Sequence, residues 1–135
     1  MNFIDVCEKL LTDNPTSASV RRSRTDSLQA VEAEIRWEKA EALGRAGERL
    51  EQALNDLESV RRAIARIEDR LRDSHNLSEE ASSLQKAHTD LTAQRAVLRT
   101  RARVMYEYLL IQREAVGVRN HLDVERCYRI SERLQ

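Results

Sequence analysis

An all-α fold is expected for this chain: one long antiparallel coiled-coil helical hairpin with short terminal helices packed at its base. Three observations lead there. Ala, Glu, Lys, Leu and Arg supply about half of the 135 residues, the proportion typical of coiled coils and long helices. Gly (three) and Pro (one) are too scarce to punctuate a strand-rich fold. Two runs of apolar positions repeat in alternating three- and four-residue steps, with a short polar stretch between them.

The first run is Leu43, Ala46, Leu50, Ala53, Leu57, Val60, Ile64, Ile67 and Leu71, an unbroken coiled-coil seam. Upstream, Leu28, Val31 and Ile35 join it by two steps of four through Lys39, a stutter that relaxes the supercoil. Ser23 and Asp26 resemble a capping box, so helix 1 is expected over residues 25–73. The second run is Leu77, Ala81, Leu84, His88, Leu91, Arg95, Leu98, Ala102, Met105, Leu109, Gln112 and Val116. Asn76 and Glu79 suit an N-cap, which gives helix 2 over residues 77–117 and a tip turn at 74–76. Folding the chain at the tip sets Leu71 against Leu77, Val60 against His88, Ala53 against Arg95 and Ala46 against Ala102, with each pair's numbers adding to 148. His88 and Arg95 read as register-setting polar positions in this seam.

The rest of the single domain, 1–135, is expected to thicken the base. Residues 1–12 place Phe3, Ile4, Cys7, Leu10 and Leu11 on one face of a short amphipathic helix. Residues 13–24, around TSASVRRSR, read as a Ser- and Arg-rich linker after Asn14-Pro15. Residues 120–134 are expected to form a C-terminal helix after Gly117, with Asn120 as its cap. Two extra stripes need a cover. One is Val97, Val104, Tyr108, Ile111, Ala115 and Val118 on helix 2; the other is Ala30, Ala33, Trp37, Ala40, Gly44 and Gly47 on helix 1. An apolar face this wide exceeds what one partner helix covers. The terminal helices are the first candidates for the cover, with backbone packed closely on Gly44 and Gly47; a homodimer interface is the second.

Composition also excludes function classes. With 23 basic and 23 acidic residues the net charge is zero, so charge-driven binding to nucleic acid or membrane surfaces is not expected. No apolar run reaches the ~20 residues of a membrane span, and the acid-bearing N-terminus does not read as a signal peptide. Two cysteines, Cys7 and Cys127, fit a reducing compartment, so a cytoplasmic location is expected. The sequence holds no phosphate-binding glycine loop, nucleophile elbow, paired CxxC or HExxH. Enzymatic activity, a cofactor, a metal and a small-molecule substrate are accordingly not expected. Cys7, Cys127 and His121 fall short of a zinc site, and the thiols read as buried and free. Glu32–Arg36, Glu41–Arg45, Glu58–Arg62 and Glu68–Arg72 read as solvated pairs within one helix.

A non-enzymatic protein–protein interaction scaffold or adaptor is therefore the expected function, with another protein or a second copy of this chain as partner. The candidate contact residues are Trp37, Gly44, Gly47, Tyr108, Ile111 and Val118, with Arg72, Asp73, His75 and Asn76 at the tip. The alternative is a nucleic-acid-binding hairpin whose Arg95, Arg99 and Arg103 lie one turn apart and track phosphates. Salt bridging of that basic stretch to Glu48, Glu51 and Asp56 is the plainer expectation for it.

Overall fold

The structure is a computed structural model that describes residues 17–73 and 78–135, with side chains for 24–73 and 79–135. All regular structure among the described residues is helical: α1 (Ser17–Asp73), α2 (Ser78–Ala115), α3 (Leu122–Tyr128) and α4 (Ile130–Arg133). No helix among them is long and apolar enough to cross a membrane. The expected helix at 1–12, Cys7, and the tip residues His75 and Asn76 lie outside the described residues.

Helix α1 is described from Ser17, so residues 17–24 of the span expected to be a linker are helical. The expected capping pair Ser23 and Asp26 lies inside the helix. The reason is local: from Ser17 to Leu43 the sequence has neither Gly nor Pro and is rich in Ala, Arg and Glu, all good helix formers. Helix α2 opens with Glu79 and Glu80 in its first turn and closes with Arg113 in its last, both favourable to the helix dipole. Its stop is a paired cap. Gly117 takes a left-handed φ of 91°, its N–H donates to the Glu114 carbonyl at 2.9 Å, and the Val118 N–H donates to the Arg113 carbonyl at 2.9 Å.

The chain divides into two compact units, residues 1–40 and 41–135. In the first, every described side chain from Arg24 to Ala40 is exposed. The second holds the core. Along α1 the buried residues are Ala46, Leu50, Ala53, Leu54, Leu57, Val60 and Ile64; α2 supplies Leu84, Ala102 and Leu109. The two long helices pack against each other here. Three polar ties join them: Arg70–Glu80 at 3.0 Å, His88–Glu68 at 3.1 Å and Arg101–Asp56 at 3.4 Å. Arg70–Glu80 lies close to the expected register, whereas His88–Glu68 and Arg101–Asp56 are displaced from it. That register puts His88 opposite Val60, eight residues or roughly 12 Å along the helix from Glu68, which an imidazole and a carboxylate cannot span to a 3.1 Å contact. Arg101 rather than Arg95 takes Asp56, and Arg95 stays half-buried.

The C-terminal segment is two short helices, not the one expected over 120–134. The break is Arg129, a non-glycine residue held at φ 51°. Asn120 acts as expected at the start, its side-chain oxygen accepting the Leu122 N–H at 3.1 Å, although the cap position itself is His121. Val124 and Ile130 are buried in one cluster with Ala46, Leu50, Ala53, Leu54, Ala102 and Leu109, edged by Leu43, Met105, Tyr106, Leu110, Tyr128 and Leu134. Thus α3 and α4 sit against the Leu54 and Tyr106–Leu110 flank. The stripe expected to receive them is left in the open: Val97, Val104, Tyr108, Ile111 and Val118 are all exposed. Leu54 and Tyr106 present larger apolar surfaces than the valines of that stripe, whose line is also interrupted by Arg101.

The glycines separate two explanations for a helix interior without Cβ. A Cβ on Gly47 would meet the Tyr128 hydroxyl at 2.8 Å, whereas one on Gly44 would meet nothing within 4 Å. Close packing therefore explains Gly47, by a side chain rather than by backbone, and does not explain Gly44. Gly44→Ala is expected to stabilise the protein by about 1 kcal/mol, the helix-propensity difference. Gly47→Ala is expected to lose that gain to the clash, and to recover it when combined with Tyr128→Phe. Urea unfolding of these three variants and of Tyr128→Phe alone checks this; an equal gain from Gly47→Ala alone would remove Tyr128 as the reason for the glycine.

Candidate interaction surface

The base of the second unit is closed by arginines from three elements. The last carbonyls of a helix lack partners within it, and α4 finds them on the long helices. Arg61 of α1 donates to the Gln135 carbonyl at 2.6 Å, and Arg99 of α2 donates to the Leu134 carbonyl at 2.8 Å. From α4 itself, Arg133 reaches back to Glu51 at 3.3 Å and to Asn55 at 2.8 Å. Arg113, at the end of α2, clamps the return turn: one terminal nitrogen donates to the Asn120 carbonyl at 3.1 Å and to both Asp123 oxygens at 2.9 and 2.8 Å. That guanidinium holds the Asp123 carboxyl below the usual carboxylate range, chiefly through these hydrogen bonds. Tyr106 bonds Glu125 at 3.3 Å, and its phenol is raised mainly by burial and secondarily by that carboxylate.

The expected contact residues are dispersed. Gly44 and Gly47 line an open cleft of about 430 Å3 with Leu43, Leu109, Val124 and Tyr128, rimmed by Glu48, Glu51 and Arg113. Tyr108 and Ile111 lie on the uncovered outer face of α2, and Val118 follows just past its glycine stop. Trp37 is 67% exposed. The helix expected at 1–12, one of its two expected covers, lies outside the described residues. Near the end of α1, Arg72 pairs with Asp69 at 3.1 Å, and Asp73, its last residue, is exposed.

The basic stripe is not a free phosphate track. Arg99 is spent on the α4 carbonyl, Arg95 is half-buried and only Arg103 is exposed. Of the pairings expected for the whole basic string, which includes Arg101, Arg101–Asp56 forms at 3.4 Å, while Glu51 pairs with Arg133. Of the four expected pairs within helices, Glu32–Arg36, Glu41–Arg45 and Glu58–Arg62 form at 3.8, 2.6 and 3.3 Å. The fourth does not, because Glu68 turns to His88 and Arg72 to Asp69. Cys127 is exposed rather than buried, since Val124 and Tyr128, one turn apart on α3, take the inward face. No group of three or more metal-binding side chains occurs among the described residues.

Sequence reasoning missed Leu54, Arg61, Arg113 and Arg133 as organisers of the base. Leu54 had a signal: Leu43, Gly47, Leu50 and Leu54 share a face at steps of four, three and four. The arginines had none: the acceptors of Arg61 are backbone carbonyls, and the side-chain acceptors of Arg113 and Arg133 lie on other elements. Comparison with known proteins finds no matching family model, no similar curated protein and no similar solved structure.

The Arg113–Asp123 clamp carries a pH signature. A carboxylate whose folded pKa lies below its unfolded value adds stability above the unfolded pKa, about 3.9 for Asp, and that stability is lost as pH falls through the folded value. Asp123→Asn is therefore expected to be less stable than the parent at neutral pH and to converge with it in strong acid. Urea midpoints taken from pH 7 downward measure the gap; one that does not close would mean that Asp123 acts by geometry and not by charge.

Proposed function

We propose that the chain is a non-enzymatic protein–protein interaction scaffold or adaptor. In this reading, residues 41–73 of α1 and α2 form an antiparallel coiled-coil hairpin that acts as an arm, and the base closed by α3 and α4 is its anchor. A cytoplasmic location belongs to the same proposal. The observation that carries it is apolar exposure in ordered helix: Trp37 in the first unit at 67%, and Val97, Val104 and Ile111 in the second at 50–69%, remain in solvent. Contiguous exposed apolar surface on a soluble domain marks an interaction site, and Trp is a preferred anchor at such sites. No observation favours nucleic acid over protein, since the middle arginine of the basic stripe is engaged within the chain.

Two of the three polar ties between the long helices support a shifted hairpin register, while the third, Arg70–Glu80, adds to 150. The residue numbers of Glu68 with His88 and of Asp56 with Arg101 add to 156 and 157, which supports a pairing one heptad beyond the sequence expectation. That pairing sets Ile67 near His88 and brings the fully buried Ala53 and Ala102 to the same level. With both native cysteines replaced by serine, Ile67→Cys and His88→Cys in one chain should cross-link within the monomer. Val60→Cys with His88→Cys should not, and the reverse result would restore the original register.

The contact surface has its own test. Trp37→Ala should shift stability by less than about 0.5 kcal/mol, as exposed substitutions do. A photo-cross-linking residue at position 37 or 111, introduced in the native host, should capture a discrete protein, and one at the exposed polar position 59 should not. Adducts absent from 37 and 111, or equal at 59, would refute a scaffold that works through these faces.

A further inference from the structure

The stripe of α1 within the first unit is self-complementary, and we propose that it pairs with its counterpart on a second copy of this chain in an antiparallel homodimer centred on Val31. This rests on the reading of the chain as a coiled-coil scaffold and names one of its partners. Arg24, Leu28, Val31, Ile35 and Glu38 follow one another at steps of four, three, four and three. With 3.6 residues per turn they fall within roughly 80° of one another on the helix. Leu28, Val31 and Ile35 are 63%, 51% and 44% exposed, and the Arg24 and Glu38 side chains are exposed too. Neither Arg24 nor Glu38 makes an ion pair among the described residues; the pairs nearby are Arg36–Glu32 and Arg45–Glu41.

The order of these residues selects the partner and its direction. Arg24 and Glu38 lie seven residues either side of Val31, and Leu28 and Ile35 lie three and four residues either side. Turning a second copy end for end about Val31 sets Val31 against Val31 and Leu28 against Ile35. It also sets Arg24 against Glu38 twice. A parallel arrangement sets Arg24 against Arg24 and Glu38 against Glu38, and like charges across a coiled-coil seam oppose pairing. Beyond the seam, Glu32, Glu34 and Glu41 make the later end acidic, so parallel pairing would gather acids while antiparallel pairing separates them. Trp37 lies roughly 100° or more from every member of this stripe, so the dimer leaves it available to another protein.

Light scattering of the full chain is expected to give twice 15.6 kDa at sub-millimolar concentration. With Cys7→Ser and Cys127→Ser in place, Val31→Cys should oxidise to a covalent dimer. Arg24→Cys alone should not, but should cross-link to a chain carrying Glu38→Cys when the two are mixed. Arg24→Glu should weaken the dimer about tenfold, and adding Glu38→Arg to the same chain should restore it to within about twofold. Circular dichroism confirms that each variant remains helical. A monomer at these concentrations would overturn the proposal. So would a dimer that cross-links through Arg24→Cys alone, which means parallel chains, or one that cross-links through Val104→Cys in place of Val31→Cys, which means the outer face of α2. The cross-link between positions 67 and 88 is read within the monomer, so failure of the hairpin and failure of the dimer are distinguishable.

Discussion

The close approach of the two long helices at Ala46, Ala53 and Ala102 is the constraint on which the rest of the second unit depends. All three are buried to within 1%. A methyl group at each point brings the backbones near enough for the intervening leucines to be sealed, and Leu50, Leu54 and Leu57 are the largest fully buried side chains. Cores of this kind respond steeply to volume. A larger residue at any of the alanines would push the helices apart and reopen the leucines on both flanks.

The placement of the C-terminal helices follows from that spacing. Leu54 turns toward one flank of the helix pair, and Val124 and Ile130 complete its cover. Arg61 and Arg99 approach the end of α4 from different long helices, which requires that the two helices stand at a fixed separation. A carbonyl bonded by a charged donor is stronger than one bonded by a neutral group. These contacts therefore close the end of α4 without an apolar cap, and they account for arginines that the sequence displays as a basic stripe. Charge in this part of the chain works inward.

Helix identity, the two long elements and the stop at Gly117 were legible because each rests on local chemistry: periodicity, propensity and a left-handed glycine. Periodicity left the register open. A heptad seam shifted by seven residues presents apolar against apolar again, so periodicity cannot distinguish the two pairings. Only the side chains at the rim do so, and Glu68 reads equally well in sequence as a partner for Arg72 or for His88. The choice of flank was hidden for a related reason. Helix α2 offers two apolar stripes, and which of them receives α3 and α4 depends on Leu54 and Leu43 of a different helix. The break at Arg129 escaped because a non-glycine residue at positive φ leaves no compositional mark.

The exposed stripe of residues 24–38 has an energetic logic of its own. An isolated helix must form a costly first turn, and short ones are marginal in water. Here the helix is already nucleated by the packed residues from Ala46 onward, and each further residue toward Ser17 adds one hydrogen bond at the much smaller cost of propagation. Arg36–Glu32 and Arg45–Glu41 add a few tenths of a kcal/mol each. Apolar residues can thus be held in water in helical geometry without a tertiary partner. A partner that docks on a helix already formed does not have to supply its ordering entropy, which is the main cost for a segment that folds on binding. A continuous helix with one half packed and the other half open therefore presents Leu28, Val31 and Ile35 in the geometry in which a second helix can use them.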